Sequence, residues 1–258
     1  DFYKNLPNKQ VYKNQRMLEM SISQSDNSYV SLPKQKWREF VYSLATPDNT
    51  SAITDPKGNY KYKWLELVGD NANTFTQLLS TNKIQENQLI GIDRREDNIQ
   101  RCKQLFPSAQ FYSEEWNSFC LRYPHQDIGI IILDSFNAAY GKEFKTILNN
   151  TMKLALRQKK AIGECLVVIN VDGDKTHRGH AYKKGISRRE VFKHSIEDIF
   201  KYSELHALRT IQVNTDTMYE YKQYENSANM LTCGILPAPN VARIARHSLT
   251  SPTGVEVA

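Results

Sequence analysis

Four acidic residues close short apolar runs, and their order along the chain outlines a ligand site. Glu66 lies in LELVG, Asp93 closes LIGID, Glu114 follows QFYS and Asp134 closes IIILD. An ionised carboxylate only accepts hydrogen bonds, and its oxygens can together take both hydroxyls of a sugar diol. Gly69 opens the turn after the first run, GDNAN. A residue without Cβ lets backbone approach a ligand closely, and the Asp and Asn residues around it tolerate left-handed geometry better than most. Taken singly, each acid has a plainer reading. Glu114 and Glu115, for example, open a predicted helix, where acids favour the positive end of the dipole.

A second constellation follows the fifth apolar run. Residues 175–194 hold Lys175, His177, Arg178, His180, Lys183, Lys184, Arg188, Arg189, Lys193 and His194, with Glu190 as the one acid. Tyr182 and Phe192 are interleaved. Phosphate backbones attract such clusters and bases stack on aromatics, so Lys183, Lys184, Arg188 and Arg189 are candidate nucleic-acid contacts. A solvated helix face would look the same. The formal net charge of +6 and pI near 9.0 point the same way, toward a polyanion or simple solubility. His177 and His180 lack a third ligand at metal-site spacing, so no metal is expected.

The elements that must position these residues alternate in period. Strands are predicted near 64–68, 89–93, 109–113, 128–133 and 164–170, with a terminal hairpin over about 208–236. Helices are predicted over 34–45, 73–84, 95–106, 114–123, 142–160 and 189–205, and a loop over 46–60. IGIIIL and CLVVI are continuously apolar, as strands covered on both faces are, so the sheet should be parallel with helices on either side. In such sheets ligands bind at the carboxyl ends of the strands, where the four acids fall. Residues 1–59 read as an arm and helical cap, 60–236 as the main domain and 237–258 as a tail. No run is apolar enough to span a bilayer, and Cys102, Cys120, Cys165 and Cys233 form no C-x-x-C pair. A reducing, cytoplasmic setting without disulfides is expected. Walker A, G-x-S-x-G and G-x-G-x-x-G sequences are absent.

The set Glu66, Asp93, Glu114 and Asp134, followed by a terminal hairpin, resembles class I S-adenosylmethionine-dependent methyltransferases over roughly residues 60–236. The resemblance implies an α/β, doubly wound Rossmann-like methyltransferase fold, a mostly parallel seven-stranded sheet with an antiparallel terminal hairpin. It implies S-adenosylmethionine as cofactor, with Glu66 and Gly69 near its methionine part, Asp93 on the ribose, Glu114 near the adenine and Asp134 at the acceptor site. Asp134 and Lys175 are the candidate catalytic pair, since a lysine of lowered pKa can deprotonate a hydroxyl. Lys63 and Glu220 are further candidates for that set. The chain departs from the family in having one glycine, Gly69, where two or three are usual. The expected function is methyl transfer to DNA or RNA. The alternatives are a catalytically silent domain of the same fold, binding nucleic acid or a protein partner, and a nicotinamide-dependent oxidoreductase, for which Asp93 would serve equally.

Overall fold

A computed structural model describes residues 32–69, 72–134, 139, 142–174, 176, 185–201, 203, 209, 218–222, 229–236 and 243–244. The elements in chain order are α1 (Leu32–Leu44), α2 (Pro47–Thr50), β1 (Lys63–Leu67), α3 (Asn73–Ser80), β2 (Leu89–Asp93), α4 (Glu96–Leu105), β3 (Gln110–Ser113), α5 (Trp116–Arg122) and β4 (Ile128–Asp134). They continue with α6 (Lys142–Ile162), β5 (Leu166–Asp172), α7 (Arg188–Lys201), β6 (Tyr219–Lys222), β7 (Asn229–Leu236) and the two-residue β8 (Arg243–Ile244).

The sheet runs β3-β2-β1-β4-β5-β7-β6, with β8 pairing the end of β7. Strands β1 to β5 are mutually parallel, and β7 is antiparallel to both β5 and β6. This is the class I methyltransferase fold, with its doubly wound parallel half and reversed terminal strand. Sequence order reverses between β1 and β4, so a crevice opens at the carboxyl ends of these two strands.

Two apolar layers cover the sheet. Ile131 and Leu133 of β4 join Trp116 and Phe119 of α5, Phe144 and Leu148 of α6, and Phe192 and Ile196 of α7. Ile130 and Ile132 face the other way, with Trp37 and Val41 of α1, Phe75 and Leu78 of α3, and Ile99 of α4. The alternation follows from the two-residue period of a strand, and it explains why the strand is apolar throughout. No helix among the described residues is long and apolar enough to cross a membrane.

The five parallel strands form where the apolar runs place them, within two residues at each end. Three differences are physical. Residues 46–60 are not wholly loop, since Pro47 stands at the first turn of α2, where its fixed φ suits a helix and no N–H is missed. The predicted 73–84 helix stops at Ser80, with Thr81 and Asn82 turning back onto Leu78 and Leu79. The segment expected to be tail contributes β8, paired with Ile235 and Leu236. The arm expected over residues 1 to about 35 gives way to α1 from Leu32, while residues 1–31 and the first half of the predicted hairpin, up to residue 217 apart from Arg209, lie outside the described residues.

Gly91 of β2 is dictated by a neighbour. A Cβ there would stand 2.6 Å from two ring carbons of Phe111 and 2.9 Å from Val68 Cγ1. Gly91→Ala should therefore destabilise the protein by about 1–3 kcal/mol, the usual range for overpacking. A urea titration measures it, and an unchanged midpoint would show that the Phe111 ring moves aside freely.

Candidate functional site

A cavity of about 600 Å³ opens at the carboxyl ends of β1, β2, β3 and β4. Glu66, Gly69, Asp93, Glu114 and Asp134 all line it, together with Lys34 and Arg38 of α1. Strand register explains the gathering. Glu66 pairs with Ile132, and Asp134 lies one pleat beyond Ile132 on the same face, about 6–7 Å further along. Asp134 pairs with Asn170, which pairs with Thr232. The row of polar side chains therefore crosses the sheet on the face that α1 covers.

That row is a closed hydrogen-bond network. Lys34 Nζ donates to Asp134 Oδ2 at 2.8 Å and to the Tyr221 hydroxyl at 3.3 Å. Asn170 Nδ2 donates to Asp134 Oδ1 at 2.6 Å and to the same tyrosine at 3.1 Å. Thr232 Oγ1 donates to Asn170 Oδ1 at 2.6 Å and accepts from Trp37 Nε1 at 2.9 Å. The Lys34 ammonium also sits 4.0 Å from the centre of the Trp37 ring, a cation–π contact. Each oxygen of Asp134 thus has a fixed donor, and the carboxylate is held in one orientation at the cavity wall.

The turns at the strand ends are also defined. Asp93 Oδ1 accepts from the Arg95 backbone N–H at 2.8 Å and Oδ2 from Asn98 Nδ2 at 2.7 Å. Carboxylate oxygens have two lone-pair directions each, so both can accept another hydrogen bond. Glu114 is ion-paired with Arg122 on α5, and its backbone N–H donates to the Asp93 carbonyl. At Gly69 a Cβ would meet nothing within 4 Å, so the cavity reaches the backbone there. Among the described residues of the first turn, Ala72 is left-handed, at φ 43° and ψ 46°. An alanine in this conformation carries strain of about 1–2 kcal/mol that glycine would not.

Other sequence expectations fare differently. Lys63 begins β1 beside Ile128 and pairs with Asp127 at 2.7 Å. It stands at the amino end of the strands, opposite Asp134, and cannot join a catalytic set with it. Glu220 lies on β6, held by Arg188 and Arg189 at 3.5 Å each. Arg188 also donates to Asp174 at 2.6 Å, so both arginines are engaged in ion pairs. Lys175, Lys183 and Lys184, with His177 and His180, lie outside the described residues. The sequence reading missed Lys34, Arg38, Asn170 and Tyr221. A signal existed, because Lys34 and Arg38 recur at helical spacing with Trp37 and Val41, putting two cations on an apolar stripe. Asn170 and Thr232 interrupt otherwise apolar strands.

Burial pushes the Glu66 carboxyl from its ordinary 4.5 up to about 7, and the nearby Asp134 charge adds to the rise. Hydrogen bonds from Thr74 and Trp64 and the Arg38 charge oppose it.

No protein-family model matches this sequence, and no curated protein does. Distant likenesses exist among solved structures. The plantazolicin methyltransferase BamL, in complex with a triazolic desmethylPZN analogue and SAH, is 13% identical over 89% of this chain and 97% of its own, with a TM-score of 0.45. The N-methyltransferase NodS from Bradyrhizobium japonicum WM9, in complex with S-adenosyl-L-homocysteine, is 12% identical over 87% of this chain and 98% of its own, at 0.44. The bifunctional kinase-methyltransferase WbdD is 13% identical over 92% of this chain and 50% of its own, at 0.49. Likenesses this distant identify no acceptor.

The raised Glu66 value has a stability consequence. Between about pH 4.5 and 7 the folded chain holds a proton that the unfolded chain has released, so stability falls as pH rises through that window and levels off above it. Glu66→Gln removes this dependence. The variant should be more stable than wild type by up to about 3 kcal/mol at pH 8, at 1.36 kcal/mol per pH unit, with the advantage shrinking toward pH 4.5. Guanidinium titrations at the two pH values measure the difference, and a pH-independent difference would rule out a buried, protonated Glu66.

Proposed function

We propose that this chain is an S-adenosylmethionine-dependent methyltransferase whose acceptor is a nucleic acid. The observation that carries the cofactor part is the cavity at the strand-order reversal, into which Glu66, Gly69, Asp93, Glu114 and Asp134 converge. The residues fit the cofactor's chemistry. Asp93, fixed by its own turn, can take a ribose diol. The bare backbone at Gly69 allows close approach of the methionine part, with Glu66 available to its ammonium. Glu114 lies on the side of β3, where the adenine would be held. When bound, the cofactor supplies an electrophilic methyl group on a sulfonium.

The chain's own part is to orient the acceptor and exclude water. Asp134 is the acceptor-side group, locked by Lys34 and Asn170. A carboxylate so neutralised is a fixed hydrogen-bond acceptor, suited to holding an N–H or O–H of the acceptor toward the cofactor. Lys175 stays the candidate base, three residues after Asp172 ends β5.

One observation favours the alternative of a silent domain. The first turn bends through a left-handed alanine, with a single glycine before it. Titration calorimetry with S-adenosylmethionine separates the two. Wild type should bind it, and Asp93→Ala should weaken binding by about 1.5–3 kcal/mol, the value of hydrogen bonds to a charged group. Absence of binding at millimolar cofactor would establish the silent domain instead.

The nucleic-acid part rests on the density of cations over residues 175–194. Since Arg188 and Arg189 are tied to Asp174 and Glu220, the lysines are the cleaner test. Replacing Lys175, Lys183 and Lys184 with Ala should weaken binding to many sequences alike. It should also flatten the plot of log affinity against log salt by about 0.7–0.9 for each phosphate contact removed. An unchanged slope would make the stretch a solvated surface.

A further inference from the structure

The polar network at Asp134 contains a closed ring of donors and acceptors. Lys34 and Asn170 each donate to both the Asp134 carboxylate and the Tyr221 hydroxyl. An ammonium donates and has no lone pair to accept with. The Tyr221 oxygen already accepts twice. Asn170 is fully buried, with its carbonyl oxygen taken by Thr232 at 2.6 Å. The accepting capacity that the ring turns toward the cavity is therefore that of Asp134, which lines it beside Lys34. Each carboxylate oxygen keeps a lone-pair direction for a ligand.

Accepting a hydrogen bond leaves this ring intact, whereas taking up a proton does not. A protonated Asp134 would leave the Lys34 ammonium, whose side chain is only 5% exposed, without its counter-charge. Breaking a buried ion pair in this way is strongly unfavourable. The group that meets Asp134 must therefore bring a hydrogen to donate, and must attack with that hydrogen still in place. A hydroxyl does not satisfy this, since a base takes its proton as the oxygen attacks. A pyridine-type ring nitrogen does not either, because it has no hydrogen and its lone pair would face the carboxylate. An amino group has both a lone pair and N–H donors. Resting on the nucleic-acid reading above, we propose that the methyl acceptor is the exocyclic amino group of a nucleobase, with one N–H held by Asp134. The nitrogen lone pair forms the N–C bond to the methyl carbon as the S–C bond breaks, and the electron pair of that bond stays on sulfur. The positively charged nitrogen then releases its proton to water, and the ion pair at Asp134 persists throughout. Asn170 and Tyr221 are positioning residues that keep the pair in one arrangement.

The test incubates the full chain with random-sequence pools of RNA and of DNA and with S-adenosylmethionine labelled on its methyl group. The products are digested to nucleosides, and the labelled position is identified by mass spectrometry. The label should appear on the amino nitrogen of adenine, cytosine or guanine. Label on a ribose oxygen, an endocyclic nitrogen or a ring carbon would overturn the assignment while leaving the nucleic-acid reading intact. Protein that binds the cofactor by calorimetry yet labels neither pool would overturn that reading, and this inference with it. Asp134→Asn should lower the labelling rate by about a hundredfold or more, the usual effect of removing one preorganised hydrogen bond at a reacting atom. Its cofactor affinity, measured by calorimetry, should be retained and doubles as the check of folding. A folded variant that labels at the wild-type rate would overturn the part given to Asp134. Should the variant fail to fold, the position of the label in wild type decides.

Discussion

The buried ion pair between Lys34 and Asp134 is the contact around which the functional end of the sheet is arranged. Removing two charges from water is unfavourable by several kcal/mol per ion, and mutual attraction offsets that only when further hydrogen bonds satisfy both groups. Here they do. Asn170 serves the second carboxylate oxygen, and Tyr221 accepts from the ammonium. The chain extends through Thr232 to Trp37. The members come from α1, β4, β5, β6 and β7, so the pair fixes how the cap helix crosses the sheet. Loosening any of them would release Asp134 from its single orientation.

The cap helix therefore has two kinds of attachment. Its apolar side packs by area, with Phe40 stacked on Tyr219 at 4.8 Å and Trp37, Val41 and Leu44 in the sheet-covering layer. Such packing is favourable but non-directional. Register comes from the polar contacts, because Lys34 and Arg38 must each meet one partner set, on β4 and on α3. Buried polar groups contribute less to stability than apolar ones of equal size, yet they are satisfied in only one arrangement. That division lets a cavity wall be both tightly packed and chemically defined.

Much of the fold was legible in the sequence because continuous apolar strands and amphipathic helices have distinct periods. IGIIIL and CLVVI could only be covered on both faces, and the five parallel strands followed. The four carboxylates were legible for a related reason, since each lies at or beside the carboxyl end of a strand and ligands gather at that edge. What escaped was information that exists only across strands. Nothing local marks Asn170 as the partner of Asp134, since that relation is a register between β4 and β5. Lys34 and Arg38 were hidden in a helix whose apolar stripe drew attention to Trp37 and Val41. Lys63 was misplaced because sequence shows which strand holds a residue more readily than which end of the sheet it occupies.

The two ends of the cavity differ in how they are made ready for a ligand. At the Asp93 end, a short turn supplies everything: the carboxylate is held by a backbone N–H two residues on and a side chain five residues on. Contacts that local form with the turn itself and need no distant element. At the Glu66 end, the groups depend on α1, β1 and α3 meeting correctly, with a strained Ala72 at the start of α3 and a carboxyl that burial holds near neutrality. Strain and a disfavoured charge persist only where the surrounding structure over-determines them, and they collect where a ligand is to be bound. The Glu66 end is therefore the costly part of the cavity to build.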